Sequence, residues 1–135
     1  MIHKVVVIEE DKGLPVLQID NKDSKFKINI ADLSGVIEAI NVTIKSLVDS
    51  QERVQKMSFR TFTILAERCK EKPYTVIVIA DSDSRVNYQR LRQMVEIIDK
   101  STHIDSDETK DKLIEILSEK TFLEELKDWG EKLWT

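Results

Sequence analysis

Two aspartates beside a strongly apolar run are the clearest candidates for metal chemistry in this sequence. Asp81 and Asp83 directly follow the run at 74–80, which reads YTVIVIA. Paired carboxylates after a buried strand can hold Mg²⁺ for phosphoryl transfer. That chemistry also needs a phosphate cradle, and the sequence contains no P-loop motif and no glycine-rich loop. The run 81–84, DSDS, offers several N-cap candidates for a helix over 85–100. Helix capping therefore explains the same residues, and we favour that interpretation.

Nucleophilic catalysis has little support in the residue pattern. His3 is placed in a strand and His103 in a polar junction between helices, and neither stands beside an evident nucleophile. The single cysteine, Cys69, is flanked by two cations, Arg68 and Lys70, which could lower the pKa of its thiol. A half-buried strand cysteine is the interpretation that we favour. We therefore expect no catalytic residue, no metal and no cofactor.

The segment 30–50 combines helical periodicity with an unusual outer face. Its apolar residues recur at spacings of three and four, which predicts an amphipathic helix that covers a sheet. The opposite side has few charges and presents small or apolar residues at spacings of four, three and four: Gly35, Ala39, Val42 and Ser46. Small residues let a second helix approach closely. An ordinary exposed face and a protein interface both fit, and we favour the interface.

An aromatic stripe marks the C-terminal quarter of the sequence. Thr121 and Glu124 suit a capping box for a final helix. The apolar residues of that helix are Phe122, Leu126, Trp129 and Leu133, with Trp134 beside them. Tryptophan is enriched at binding hot spots, so the stripe is a candidate site for a partner. Packing on the protein's own domain, or across a dimer, is the alternative that we favour.

The strands and helices that position these residues follow one another in an order that indicates a fold class. Five strand-like segments cover 2–10, 14–20, 54–59, 62–69 and 74–80, and helices are predicted over 30–50, 85–100 and in two stretches after Asp105. This order predicts an α/β (α+β) fold in which helices cover a five-stranded, mostly antiparallel sheet. The expected spatial order is 2-1-5-4-3. Strand 54–59, with Val54, Met57 and Phe59, would then form an edge.

Composition limits the class of protein. The 135 residues, 41% hydrophobic and 34% charged, predict one domain over 1–104 and a helical extension over 105–135 packed on it. A net charge of −4 argues against nucleic acid as a partner. No apolar run approaches the roughly 20 residues that cross a bilayer. One cysteine is typical of a reducing cytoplasmic setting.

A short motif and the element order resemble the longin and roadblock superfamily. The motif is the run 33–40, LSGVIEAI, which is similar to the start of the helix that follows the first hairpin in that family. The opening IHKVVVIEEDKGLPVL resembles the family's first hairpin, with Gly13 in the turn. Roadblock domains begin with a helix, whereas this sequence begins with a strand. The longin arrangement is therefore the nearer one.

The resemblance implies a non-catalytic binding or scaffold module. Its partner would be a small Ras-like GTPase or another longin or roadblock protein, in membrane traffic or cell polarity. The outer helix face and the edge strand predict a homodimer, and the resemblance points the same way, because such proteins often pair through this helix and edge. Two alternatives stay open: a Mg²⁺-dependent phosphoryl-handling enzyme that uses Asp81 and Asp83, and a profilin-like binder of a cytoskeletal polymer.

Overall fold

The computed structural model describes residues 1–10, 14–25 and 54–118, together with Val42 and Lys45. The strands are β1 (Ile2–Glu9), β2 (Leu14–Asp20), β3 (Val54–Ser58), β4 (Thr63–Arg68) and β5 (Tyr74–Ala80). The helices are α1 (Arg85–Lys100) and α2 (Asp107–Ser118). Each of the five predicted strands is present, with ends within one residue of the sequence-based assignment. The predicted bounds of the 85–100 helix are also correct.

The strands form one sheet in the order β2-β1-β5-β4-β3, and every neighbouring pair is antiparallel. The predicted order is therefore confirmed. The two most apolar strands, β1 and β5, pair along seven positions in the middle of the sheet. Burial on both faces explains why their sequences are continuously apolar instead of alternating.

Helices α1 and α2 lie on one face of the sheet, called here the helix-covered face. Helix α1 lies over β4 and β5, and α2 contacts α1 and β1. Leu91, Met94 and Ile98 of α1 are fully buried, as is Leu113 of α2. Each such side chain contributes about 1.5–3 kcal/mol when it is removed from water. The helical spacing of these residues places them on one side of each helix, and their burial holds both helices on the sheet.

The opposite face of the sheet, called here the second face, is also buried. Its core consists of Val6, Ile8, Ile64, Ala66, Ile77 and Ile79, and Met57 and Phe62 pack against it. The sequence predicts that a helix over 30–50 covers a face of the sheet. Val42 and Lys45 of that segment are helical and exposed, and the rest of it lies outside the described residues.

Candidate protein interface

Strand β3 is an edge of the described sheet. It pairs with β4 from Val54↔Glu67 to Ser58↔Thr63, and no described strand lies along its other side. An edge strand presents a row of backbone N–H and C=O groups that can pair with another strand. The predicted edge position of this segment is confirmed.

The side chains of β3 divide between the two faces of the sheet. Met57 is half-buried and packs against the second-face core, while Lys56 is exposed on the opposite side. The Lys56 ammonium lies 2.8 Å from a carboxylate oxygen of Asp83, just before α1. This hydrogen-bonded ion pair raises the pKa of Lys56 and lowers the pKa of Asp83. The one lysine on this edge is thus held toward α1.

An aromatic pair follows β3 at the tip of the β3–β4 hairpin. The rings of Phe59 and Phe62 stack with their centroids 4.7 Å apart. The backbone N–H of Phe59 donates to the carbonyl of Phe62 at 2.8 Å. Phe62 packs on the second-face core, but Phe59 is 40% exposed. The structure therefore brings two of the predicted interface residues, Met57 and Phe59, to one end of the edge.

The helical half of the predicted interface is described at one position. Val42 is helical and 65% exposed, a high value for valine. The other members of the small-residue face lie outside the described residues: Gly35, Ala39 and Ser46. The same holds for the C-terminal stripe of Phe122, Leu126, Trp129, Leu133 and Trp134. All of these residues stay predictions.

Asp81 and Asp83 do not share a site. One carboxylate oxygen of Asp81 lies 2.9 Å from the amino group of Met1, and the other accepts from the side-chain amide of Asn87 at 3.4 Å. Burial raises the pKa of Asp81, but these hydrogen bonds outweigh it and hold the value below the ordinary one. Asp83 turns instead to Lys56. Among the described residues, no group of three or more metal-ligating side chains could hold an ion.

The helix cap at this point is a serine. Ser84 is the N-cap of α1, and its hydroxyl accepts from the backbone N–H of Asn87 at 3.3 Å. Ser84 was one of the cap candidates in the run 81–84. The capping interpretation is therefore favoured over the magnesium site.

Cys69 is a structural cysteine. It is 7% exposed, and burial together with the nearby Asp99 carboxylate raises the pKa of its thiol to about 12. This burial agrees with the favoured interpretation of Cys69 as a packed cysteine and contradicts the alternative, in which its flanking cations lower the pKa of the thiol. Arg68 turns to the other side of the strand, where its guanidinium donates to Glu10 at 2.7 and 3.1 Å. Adjacent strand residues point to opposite faces, so a neighbour in sequence does not act on the thiol.

The two histidines lie apart. The Nδ1 atom of His3 is 2.6 Å from the Ser24 hydroxyl, and burial lowers the pKa of the imidazole. His103 is exposed beyond the end of α1. No helix in the described part of the chain is both long and apolar enough to cross a membrane.

Comparison with solved structures identifies the architecture. The crystal structure of MglC from Myxococcus xanthus matches with a TM-score of 0.54, over 73% of this chain and 84% of that one. The fold is that of the longin and roadblock proteins. The longin-like fold inferred from the element order and the 33–40 motif is thus confirmed. Sequence identity to MglC is 12%, a level at which the likeness concerns the fold alone.

Sequence comparisons add nothing to this structural match. No protein-family model matches the chain, and no curated protein matches it.

Proposed function

We propose that this longin-like protein is a non-catalytic binding module that scaffolds or regulates a small Ras-like GTPase, directly or through another longin or roadblock protein. The observation that carries the proposal is the position of β3 at the edge of the described sheet, with Met57 and Phe59 at one end of it. The longin and roadblock fold, which the likeness to MglC identifies, is compatible with a binding role of this type. The proposed setting is the reducing cytoplasm, in keeping with the one buried cysteine.

The proposed surface is the two-sided patch predicted from the sequence. It combines the helix residues Gly35, Ala39, Val42 and Ser46 with the edge residues Val54, Met57 and Phe59. An edge strand supplies directional backbone hydrogen bonds, and exposed apolar side chains beside it supply buried area. A second copy of the chain, related by a two-fold axis, would cover helix and edge in one isologous contact.

The ion pairs of Asp81 and Asp83 support a binding function over phosphoryl chemistry. Each carboxylate already has its own cationic partner, the Met1 amino group or Lys56. A magnesium ion would have to displace both pairs. We therefore expect no hydrolysis of nucleoside triphosphates or phosphoesters, with or without Mg²⁺. Turnover that disappears in Asp81→Asn would contradict the binding function.

The GTPase partner is testable through its bound nucleotide. The full chain is immobilised and exposed to native cell extract, and the eluted proteins are denatured so that released nucleotides can be separated by chromatography. We expect the eluate to release GDP or GTP in proportion to the amount of a retained small protein. The amount of that protein retained should change when the extract is loaded with a non-hydrolysable GTP analogue instead of GDP. Retention that is indifferent to nucleotide, with no guanine nucleotide released, would refute this part of the proposal.

A further inference from the structure

The one charged residue of strand β3 is Lys56, and its side chain is directed across the neighbouring strand. Lys56 pairs in register with Leu65 of β4. Its ammonium donates a hydrogen bond at 2.8 Å to Asp83, which follows β5 and precedes α1. Because β4 lies between β3 and β5, and α1 lies over β4 and β5, the lysine points inward over the sheet and away from the outer side of the edge.

The direction of this lysine matters because charged side chains on an edge strand hinder pairing with another strand. Lysine is the residue most often used in this way. A strand that joins the edge brings its opposite side chains to about 5 Å, measured between Cβ atoms, so a loose ammonium beside the edge would lose water and meet the incoming strand. In β3 the lysine is present, but its charge is already occupied by Asp83.

We propose that Asp83 positions Lys56 so that β3 can pair, antiparallel, with β3 of a second copy of the chain. Asp83 is then a positioning residue of the interface, because it acts through Lys56 and not by touching the second copy. The inference rests on the proposed homodimer. It adds to that proposal a residue that lies outside the predicted patch and decides whether the edge is available.

The residues of β3 also favour one register for such a pair. Two identical antiparallel strands related by a two-fold axis place one residue opposite its own copy. With Lys56 at that point, two like charges would face each other, which is destabilising. With Met57 there, each Lys56 faces the exposed and uncharged Ser58 of the second copy, and the two half-buried Met57 side chains meet on the second face. Each lysine can then keep its bond to its own Asp83.

The exposure of the ion pair separates this role from a contribution to the fold. The side chains of Lys56 and Asp83 are 46% and 50% exposed. Ion pairs at such positions contribute little to stability, because water already solvates both charges. Loss of the pair should therefore leave the domain folded and release the lysine to move beside the edge. The effect of Asp83 is expected on dimerisation and not on unfolding.

Sedimentation of the full chain over a dilution series tests the proposal through the dimer dissociation constant. Asp83→Asn should raise this constant several-fold, up to about tenfold, because each of the two copies releases a lysine. Circular dichroism and the urea midpoint should stay unchanged. The matched control is Asp81→Asn, the same change two residues earlier, whose ion pair is with the Met1 amino group. It should leave the dissociation constant unchanged.

Removal of the lysine distinguishes positioning from a structural role of Asp83. Lys56→Met breaks the same ion pair but leaves no charge at the edge, so this variant should dimerise at least as tightly as the unmodified chain. Added to Asp83→Asn, it should restore the dissociation constant. If Asp83 acted by supporting the start of α1, the loss in Asp83→Asn would persist in the double variant.

The outcomes separate this inference from the homodimer on which it rests. An unchanged dissociation constant in Asp83→Asn, or a double variant as weak as Asp83→Asn alone, would overturn the positioning role and leave the dimer standing. Loss of circular dichroism in Asp83→Asn would overturn it as well, since the pair would then serve the fold. Unmodified protein that is monomeric at tens of micromolar would overturn both the homodimer and this inference.

Discussion

The chemistry of single residues here depends on which face of the sheet a side chain joins. Arg68 and Cys69 are adjacent, yet Arg68 pairs with Glu10 on the second face while Cys69 joins the core under α1. Thr75 is fully buried and donates to the same Glu10 carboxylate at 3.1 Å. Alternation along the strand therefore separates a cation from a thiol that stands next to it in the sequence.

The Cys69 thiol should resist both ionisation and alkylation. Its pKa of about 12 means that almost no thiolate exists near neutral pH, so iodoacetamide should modify the folded protein far more slowly than the urea-unfolded protein. The same shift sets a pH dependence. The unfolded thiol ionises near pH 9 and the folded thiol near pH 12, so its contribution favours the unfolded state increasingly as the pH rises through this window.

Urea denaturation at increasing pH checks the sign of the Cys69 effect. Stability should fall more steeply above pH 9 in the natural chain than in Cys69→Ala. A folded protein that is alkylated as fast as the unfolded one would contradict the burial of this thiol.

The Glu10–Arg68 pair should stabilise the fold measurably. It joins the end of β1 to β4 across β5 through two charge-assisted hydrogen bonds, and the Glu10 side chain is 13% exposed. Arg68→Met removes both and leaves the carboxylate with Thr75 alone. Because Arg68 is partly exposed, we expect a loss of about 1 kcal/mol in the free energy of unfolding by urea. The control is Lys100→Met, whose ion pair with Glu96 is fully exposed and should change little.

At the scale of elements, one carboxylate attaches a turn to a helix. Asp99, near the end of α1, accepts hydrogen bonds from the backbone N–H groups of Lys70, Glu71 and Lys72 at 2.9, 3.2 and 3.3 Å. Lys72 donates in addition to the carbonyl of Ile98 at 3.1 Å. The β4–β5 turn and the C-terminal end of α1 are thus held as one unit above Cys69.

Loss of the Asp99 carboxylate should loosen that unit. Asp99→Ala leaves three backbone N–H groups without their acceptor, and we expect a loss of about 1–3 kcal/mol in the free energy of unfolding. Hydrogen exchange at residues 70–72 should accelerate, while exchange in β1 at the centre of the sheet should not. Asp99→Asn keeps one oxygen acceptor and should have an intermediate effect. Unchanged exchange at 70–72 in Asp99→Ala would show that the turn holds without the carboxylate.

Local sequence patterns predict the elements well, and the reason is physical. Apolar runs of strand length and helical spacings act over a few residues, so the five strands, the 85–100 helix and its Ser84 cap follow from the sequence. The central place of β1 and β5 follows from their continuous apolarity. The Asp99 contacts and the Glu10–Arg68 pair join residues that are 27 to 58 positions apart. No local spacing pattern in the sequence predicts such contacts.

The geometry of the β3 edge was predictable to the same extent, while its use as an interface stays a prediction. The edge position of β3 follows from strand order, and the exposed Phe59 was among the predicted residues. The stacking partner Phe62 was missed, although its position across the two-residue tip Arg60–Thr61 is a signal for it.

At the scale of the whole molecule, the described sheet has two edge strands, β2 and β3, as its candidates for pairing with a further strand. The core of each face is buried, so an added strand can join only at β2 or β3. Strand β2 contains Pro15, which has no N–H to offer and is typical of a protected edge. Strand β3 has no proline and ends beside the exposed Phe59. Of the two edges, β3 is the one suited to pairing.

A homodimer through β3 and the 30–50 helix is the corresponding expectation. Light scattering of the unmodified chain should give about twice 15.7 kDa. Ala39→Arg places a long charged side chain in the proposed small-residue seam, where close helix packing leaves no room for it. This variant should become monomeric while its circular dichroism is unchanged.

The matched control for Ala39→Arg is Gln18→Arg, which adds the same side chain at an exposed position of the other edge strand, β2. It should stay dimeric, because β2 takes no part in the proposed contact. Monomeric Ala39→Arg beside dimeric Gln18→Arg assigns the dimer to the helix and β3 side of the molecule. The proposed dimer would be contradicted by unmodified protein that is monomeric at tens of micromolar, or by Ala39→Arg that stays dimeric. The small-residue face would then have another role, and β3 would remain a candidate site for the GTPase or another longin protein.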